Sequence, residues 1–192
     1  MHDFYVLEGL DGAGRSTLGE KISKLLDGKF VDTPMDEFES LKNAMLEKPF
    51  DVQFFFFMAS NFDASHKIKN ILKKSPVVCA RYLYTPIIAY CTHTGTSLDS
   101  ILPVIEPFSK ELIIPERTIL LEVSEDEWYS RIQKRDKIDA NDKRLLVQRE
   151  KRLRAMELYG VLVEKYGWLR FDTTGMGVDQ SADIIYRNLK RF

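Results

Sequence analysis

The scarce residues narrow the field first. Cysteine occurs twice, as Cys79 and Cys91, too few for a disulfide scaffold, so both are expected to be free thiols in a reducing compartment. Histidine occurs three times, as His2, His66 and His93, scattered without the spacing of a zinc site. No apolar run approaches the roughly 20 residues that a membrane span needs; the longest conspicuous one is Phe54–Ala59, and no membrane partner is expected. An excess of one charge is missing as well: 28 basic residues face 29 acidic ones, for a net charge of -1, which argues against a general nucleic-acid surface. A strand-like run already starts at Phe4, so a signal peptide is not expected and a cytoplasmic location is. Glycine is sparse too, ten in 192 residues, yet three of the ten crowd together as Gly9, Gly12 and Gly14.

That crowding is the most informative feature of the chain. Glu8-Gly9-Leu10-Asp11-Gly12-Ala13-Gly14-Arg15-Ser16-Thr17 follows the apolar run Phe4-Tyr5-Val6-Leu7 and precedes a helical pattern beginning at Leu18. Strand, glycine loop and helix, with the spacing G-x-x-x-x-G-basic-Ser/Thr, form a phosphate-binding loop. The glycines allow the loop to turn its N–H groups inward around an anion, and the following helix aims the positive end of its dipole at the same place. Gly9, Asp11, Gly12, Ala13, Gly14, Arg15, Ser16 and Thr17 are therefore the candidate nucleotide-binding residues, and the Ser16 hydroxyl is the candidate Mg²⁺ ligand. Arg15 stands where lysine is usual. Its planar fork is longer than an ammonium group, so the exchange is not conservative for a group that must be placed to about 1 Å.

Periodicity gives the rest of the architecture. Strands are expected at Phe4–Leu7, Phe30–Val31, Val77–Cys79, Thr118–Val123 and Trp168–Asp172. Between them lie helical patterns at 18–27, Met35–Leu46, Asp51–Lys74, Leu83–Tyr90, an irregular stretch from Leu98 to Phe108 broken by Pro103 and Pro107, a helix capped by Ser124, then Leu145–Tyr166 and Ala182–Leu189. The alternation predicts a single three-layer α/β domain over residues 1–192, with a parallel five-stranded core sheet and helices on both faces.

Three further features carry chemistry. Arg81 follows the strand Val77–Cys79, at the carboxyl edge where open α/β sheets bind ligands, and suits a bidentate grip on an anion. Phe54-Phe55-Phe56-Phe57 covers every face of one helical turn, which reads as a helix buried all round; alternatively, one ring forms the wall of a flat ligand's pocket. From Arg131 to Arg154 ten basic residues face four acidic ones, a segment of net +6. It is either a solvated helical face or a cationic lid near 131–149 that closes over phosphates, with 139–142 as the turn between its arms.

These motifs resemble the thymidylate kinase family of P-loop nucleoside monophosphate kinases. The opening Phe4–Gly14, Phe57-x-Ala59, Arg81-Tyr82 with Ala89-Tyr90, and Asp172-Thr173-Thr174 carry the resemblance, which runs over nearly the whole chain. It implies a P-loop kinase fold with a short helical lid and an ATP-dependent, Mg²⁺-assisted phosphoryl transfer to a deoxynucleoside monophosphate, with dTMP giving dTDP. It implies Phe57 under the acceptor base, Arg81 on the acceptor phosphate, Asp11 near the acceptor sugar and phosphate and Tyr90 near the sugar, and it puts Asn61 at the base-reading position, where an amide can still hydrogen-bond a base. Thr173 falls beside the adenine, Arg131 and Arg135 are lid arginines, and the chain pairs as a homodimer.

The departures touch the chemistry. Besides Arg15, Ala80 replaces the family's aspartate before Arg81, leaving the Mg²⁺ waters without a carboxylate. Asn61 replaces a base-reading arginine. Pro34-Met35-Asp36 has an acid where a clamp arginine belongs, one extra residue separates Arg81 from Tyr90, and the lid lacks its usual pattern. Two alternatives follow: a kinase of another nucleotide or nucleoside, and a nucleotide-binding protein that no longer catalyses. The lack of an Asn-Lys-x-Asp segment argues against a GTPase.

Overall fold

The strands form where apolar runs can be buried on both faces of a sheet. In the computed structural model, which describes residues 2–134 and 147–190, β1 (Phe4–Gly9), β2 (Lys29–Asp32), β3 (Val77–Ala80), β4 (Arg117–Glu122) and β5 (Leu169–Asp172) make one parallel sheet in the order β2-β3-β1-β4-β5. The central strand β1 is buried along its whole length, whereas the edge strand β5 alternates between half-buried and exposed.

Successive residues of a strand point to opposite faces, and the core divides accordingly. Tyr5, Leu7, Val78, Ile119 and Leu121 face α1 (Arg15–Leu25) and the C-terminal helix α8 (Val178–Leu189). Phe4, Val6, Val77 and Cys79 face α3 (Phe50–Ile71). Leu120 joins a cluster built from α3, α4 (Tyr84–Thr94), α5 (Leu98–Ser109) and α7 (Arg149–Tyr166). The remaining helices are α2 (Asp36–Leu46) and α6 (Glu125–Gln133). The three-layer α/β fold with a parallel five-stranded sheet is thus present.

Several boundaries differ from expectation. Helix α1 starts at Arg15, because Gly14 takes the left-handed conformation at its N-cap and the dipole begins immediately after the loop. Helix α4 runs on to Thr94 and takes in Cys91, which is buried like Cys79. Helix α5 is continuous through Pro103 and Pro107: both prolines lie on its exposed side, where water can satisfy the carbonyls they leave unpaired. The four-phenylalanine turn is not buried all round: Phe54 is 4% exposed but Phe55 is 67% exposed. A helix in the outer layer of a three-layer fold has one inward face, and four consecutive rings cannot share it. Arg135 and the turn at 139–142, read as parts of a lid, lie outside the described residues.

Candidate active site

Parallel strands end on one side, and the loop leaving β1 emerges there with those leaving β2, β3, β4 and β5. The phosphate loop crosses from β1 into α1. Gly12 has φ of 92°, and a Cβ there would come within 2.9 Å of Ile132 and 3.1 Å of the Trp128 indole nitrogen. The same indole N–H donates to the Asp11 carbonyl at 2.5 Å, so α6 clamps the loop from outside. Sequence reading missed Trp128, for which nothing local signals a contact 117 positions away.

Arg15 turns back rather than standing out. Its side chain is 4% exposed, and Nη2 donates to Asp11 Oδ1 at 2.5 Å. Asp11 Oδ1 also accepts from Arg81 Nη2 at 3.0 Å, and Arg81 Nη1 donates to Asp32 Oδ1 at 2.6 Å. The Ser16 hydroxyl donates to Asp32 Oδ2 at 2.6 Å. Two arginines, two aspartates and the loop serine therefore form one connected network across the ends of β1, β2 and β3. Arg81 adopts φ of 64°, a left-handed conformation that a bulky side chain enters only where its surroundings hold it, and such strain concentrates at functional sites. Burial works against its charge, but Asp11 and Asp32 outweigh that and raise its pKa above the ordinary guanidinium value.

Beneath the loop, Glu8 is fully buried. Thr85 Oγ1 donates to it at 2.6 Å, and the Tyr82 N–H and Tyr159 hydroxyl at 3.2 Å each. Burial raises its pKa; the bonds from Thr85, Tyr159 and Tyr82 and the charge of Arg15 oppose the rise.

Two hollows flank this network. On one side Asp11, Phe57, Asn61, Arg81 and Tyr90 line a cavity, so the five expected acceptor-site residues are together. Asn61 is 2% exposed, and its NH₂ donates to the Tyr82 carbonyl at 2.9 Å. The buried Ser60 hydroxyl, unnoticed in the sequence, lines the same cavity with no hydrogen-bond partner among the described residues. Lys42 of α2 contributes a cation to this cavity, while Asp36 is held by Lys67 at 2.6 Å.

On the other side Gly12, Gly14, Thr17, Arg131 and Thr173 line a groove. Ala13, within the loop, is buried, and Gly9 lines the smaller hollow that holds Asp11 and Arg15. Arg131 is fixed rather than poised: Glu127 accepts from its Nη2 at 2.5 Å, Thr173 Oγ1 accepts from Nη1 at 3.0 Å, and the Thr173 carbonyl accepts from Nη2 at 3.1 Å. Its partners lie on the Thr173 side of the loop, not in the Asp11–Arg81–Asp32 network. Farther along the basic segment, Arg149 and Arg152 both pair with Glu125, and the buried Arg152 stacks over Trp128 at 4.5 Å. These two arginines bind α7 to α6, so this part of the charge run is structural.

Asp32 was also missed. The strand-end rule that singled out Arg81 applies to it equally, since it is the last residue of β2.

The fold and this site define a P-loop phosphotransferase, with one hollow lined by Asp11, Phe57 and Arg81 and another lined by Gly12, Gly14 and Thr173. A model of the thymidylate kinase family matches residues 7–174. A probable thymidylate kinase of Methanococcus maripaludis is 30% identical over 96% of this chain and 94% of its own length. One from Methanocaldococcus jannaschii is 27% identical over 97% and 95%. The chain belongs to the thymidylate kinase family. Among solved structures, the thymidylate kinase of Candida albicans covers 99% of this chain and 92% of its own, with a TM-score of 0.79 at 18% identity. A deoxyadenosine kinase from M. mycoides, solved with dCMP and dCDP as products, covers 98% and 100% with a TM-score of 0.69 at 21% identity. These last two likenesses concern the fold.

Proposed function

We propose that this protein transfers the γ-phosphoryl group of ATP to thymidylate, giving dTDP. One observation carries the reading: Arg81, strained and held between Asp11 and Asp32, lies where the acceptor cavity meets the phosphate loop. Family membership supports the choice of reaction and acceptor. In this reading ATP occupies the groove of Gly12, Gly14, Thr17 and Thr173, with its phosphates on the loop N–H groups. Arg131 stays on that side and orients the donor. The acceptor base stacks on Phe57, its sugar lies near Tyr90, and its phosphate meets Arg81 and Lys42. Arg15 and Asp11 hold the loop between the two nucleotides.

The residues present suit a magnesium ion: a serine hydroxyl and a carboxylate meet beside the loop, and hard oxygen donors are what Mg²⁺ takes. When bound, Mg²⁺ neutralises phosphate charge and templates in-line transfer. The protein's part is positioning and electrostatics. The exposed apolar stripe of α3, with Val52 and Phe55, is the surface we assign to a homodimer contact. A cytoplasmic location belongs to the same reading; among the described residues no helix is long and apolar enough to cross a membrane.

The test is ADP release from Mg-ATP across a panel of nucleoside monophosphates and nucleosides. Thymidylate-dependent turnover of about 1 s⁻¹ or more is expected. ATP binding without acceptor-dependent release would leave a binding protein instead. A second reading rests on Asn61. It stands where the resemblance expects an arginine, and its uncharged amide, anchored to the Tyr82 carbonyl, offers a base both a donor and an acceptor, which a base with an exocyclic amine can use as well as thymine can. In the same panel, a higher kcat/KM for dCMP than for dTMP would favour that reading.

A further inference from the structure

We infer that Asp32 supplies the metal-side carboxylate that position 80 lacks, and that it positions Ser16 for the ion. The inference rests on the Mg-ATP reading above and extends it to a residue that no motif marks.

The family resemblance leads one to expect an aspartate immediately before Arg81. Here that residue is Ala80, fully buried and without a polar atom to offer. The sheet supplies the substitute. β2 and β3 pair in parallel with Asp32 beside Ala80, and neighbouring strands lie about 4.8 Å apart. A carboxylate moved from position 80 to position 32 is therefore displaced by one strand, at the same level along the sheet. Its longer route is closed by the side chain, because Asp32 Oδ2 lies 2.6 Å from the Ser16 hydroxyl.

The direction of that bond matters. Ser16 donates its proton to Asp32, so the lone pairs of the serine oxygen remain for a cation. The carboxylate also makes that oxygen a better Lewis base, as partners behind metal ligands do. The Asp32 side chain is 36% exposed, so water and phosphate oxygens can reach it. Among the described residues no three His, Cys, Asp or Glu side chains converge into a self-sufficient metal site. That fits Mg²⁺, which is commonly held by one or two protein oxygens together with substrate phosphates and water.

The other oxygen of the same carboxylate accepts from Arg81 at 2.6 Å. Asp32 thus touches both the metal-side serine and the arginine of the acceptor cavity. A purely structural Arg81–Asp32 pair predicts that Asp32 affects fold and acceptor but not the ion. The positioning role predicts a loss specific to the ion.

Three full-length variants separate these: Asp32→Asn, Asp32→Ala, and Asp32→Ala combined with Ala80→Asp. Mn²⁺ binding to protein loaded with a non-hydrolysable ATP analogue is followed by electron paramagnetic resonance. Binding of the analogue alone is followed by calorimetry in EDTA, and folding by thermal melting. Asp32→Asn is expected to weaken Mn²⁺ binding about tenfold or more while analogue binding in EDTA stays within about twofold. The double variant is expected to recover most of the loss. Mn²⁺ binding by Asp32→Asn as tight as the parent's would overturn the inference, as would an equal loss of analogue affinity in EDTA. Should the buried carboxylate introduced by Ala80→Asp prevent folding, Asp32→Asn decides alone. A parent that binds the analogue no better with Mn²⁺ than in EDTA would overturn the Mg-ATP reading itself, and the inference with it.

Discussion

Arg15 stands where the phosphate-loop motif ordinarily has lysine, and its surroundings account for the exchange. A lysine at the start of α1 would place a point charge over the loop. The arginine instead reaches Asp11, four residues earlier, and shares that carboxylate with Arg81. Among the described residues, truncating Arg15 leaves Asp11 with one guanidinium instead of two. Removing a partner from a buried pair costs about 3–5 kcal/mol when the remaining charge is orphaned; because Arg81 remains, Arg15→Ala is expected to cost about 2 kcal/mol, read from urea unfolding. The same variant is expected to lower kcat by about 10²–10³, the usual effect of deleting one preorganised group from a transition-state site. A stability loss with kcat intact would make Arg15 a loop anchor and nothing more.

At the level of the element, α3 illustrates how one sequence pattern divides into core, cavity and surface. Phe54 sits in the cluster with Met58, Ile87 and Leu158. Phe57 turns to the acceptor cavity, and Phe55, edge-on to Phe54 with centroids 5.3 Å apart, faces outward. Emptying a packed phenylalanine site costs about 3–5 kcal/mol, whereas an exposed one costs within about 0.5 kcal/mol. Phe54→Ala should therefore lower the urea midpoint strongly, and Phe55→Asp should leave it nearly unmoved in dilute solution. If the stripe of Val52 and Phe55 is the homodimer contact, Phe55→Asp will also reduce the mass seen by light scattering to that of one chain. An unchanged mass would remove α3 from that role.

Across the whole molecule, Glu8 ties the layers together: it sits on the central strand and is bonded from α4 by Thr85 and from α7 by Tyr159. Burial raises its pKa, so the folded protein holds that proton more tightly than the unfolded chain does. The stability this contributes is complete below the unfolded value, about pH 4.3, and is lost as pH rises through the folded value. Glu8→Gln removes the titration. Its melting temperature relative to the parent should therefore improve progressively as pH rises from about 4.3 and level off above the folded pKa. A difference independent of pH would show that burial is fully offset by the four opposing groups.

The sequence alone determined the parts of this protein that depend on local spacing. The glycine loop with Ser16, the alternation of strands and helices, and Arg81 at a strand end all follow from periodicities of two and 3.6 residues and from turn chemistry. It also marked the departures at Arg15, Ala80 and Asn61. Only the tertiary structure decided what replaced them. Asp32 meets Arg81 49 positions away because β2 pairs with β3 at the edge of the sheet, an order that no local pattern encodes. Arg15 turns inward because the Asp11 carboxylate accepts from it and the buried Glu8 lies near enough to attract its charge, and Phe55 faces solvent because α3 has one inward side. Spacing along a chain sets which elements form. Which side chains meet depends on the order and register in which distant elements pack.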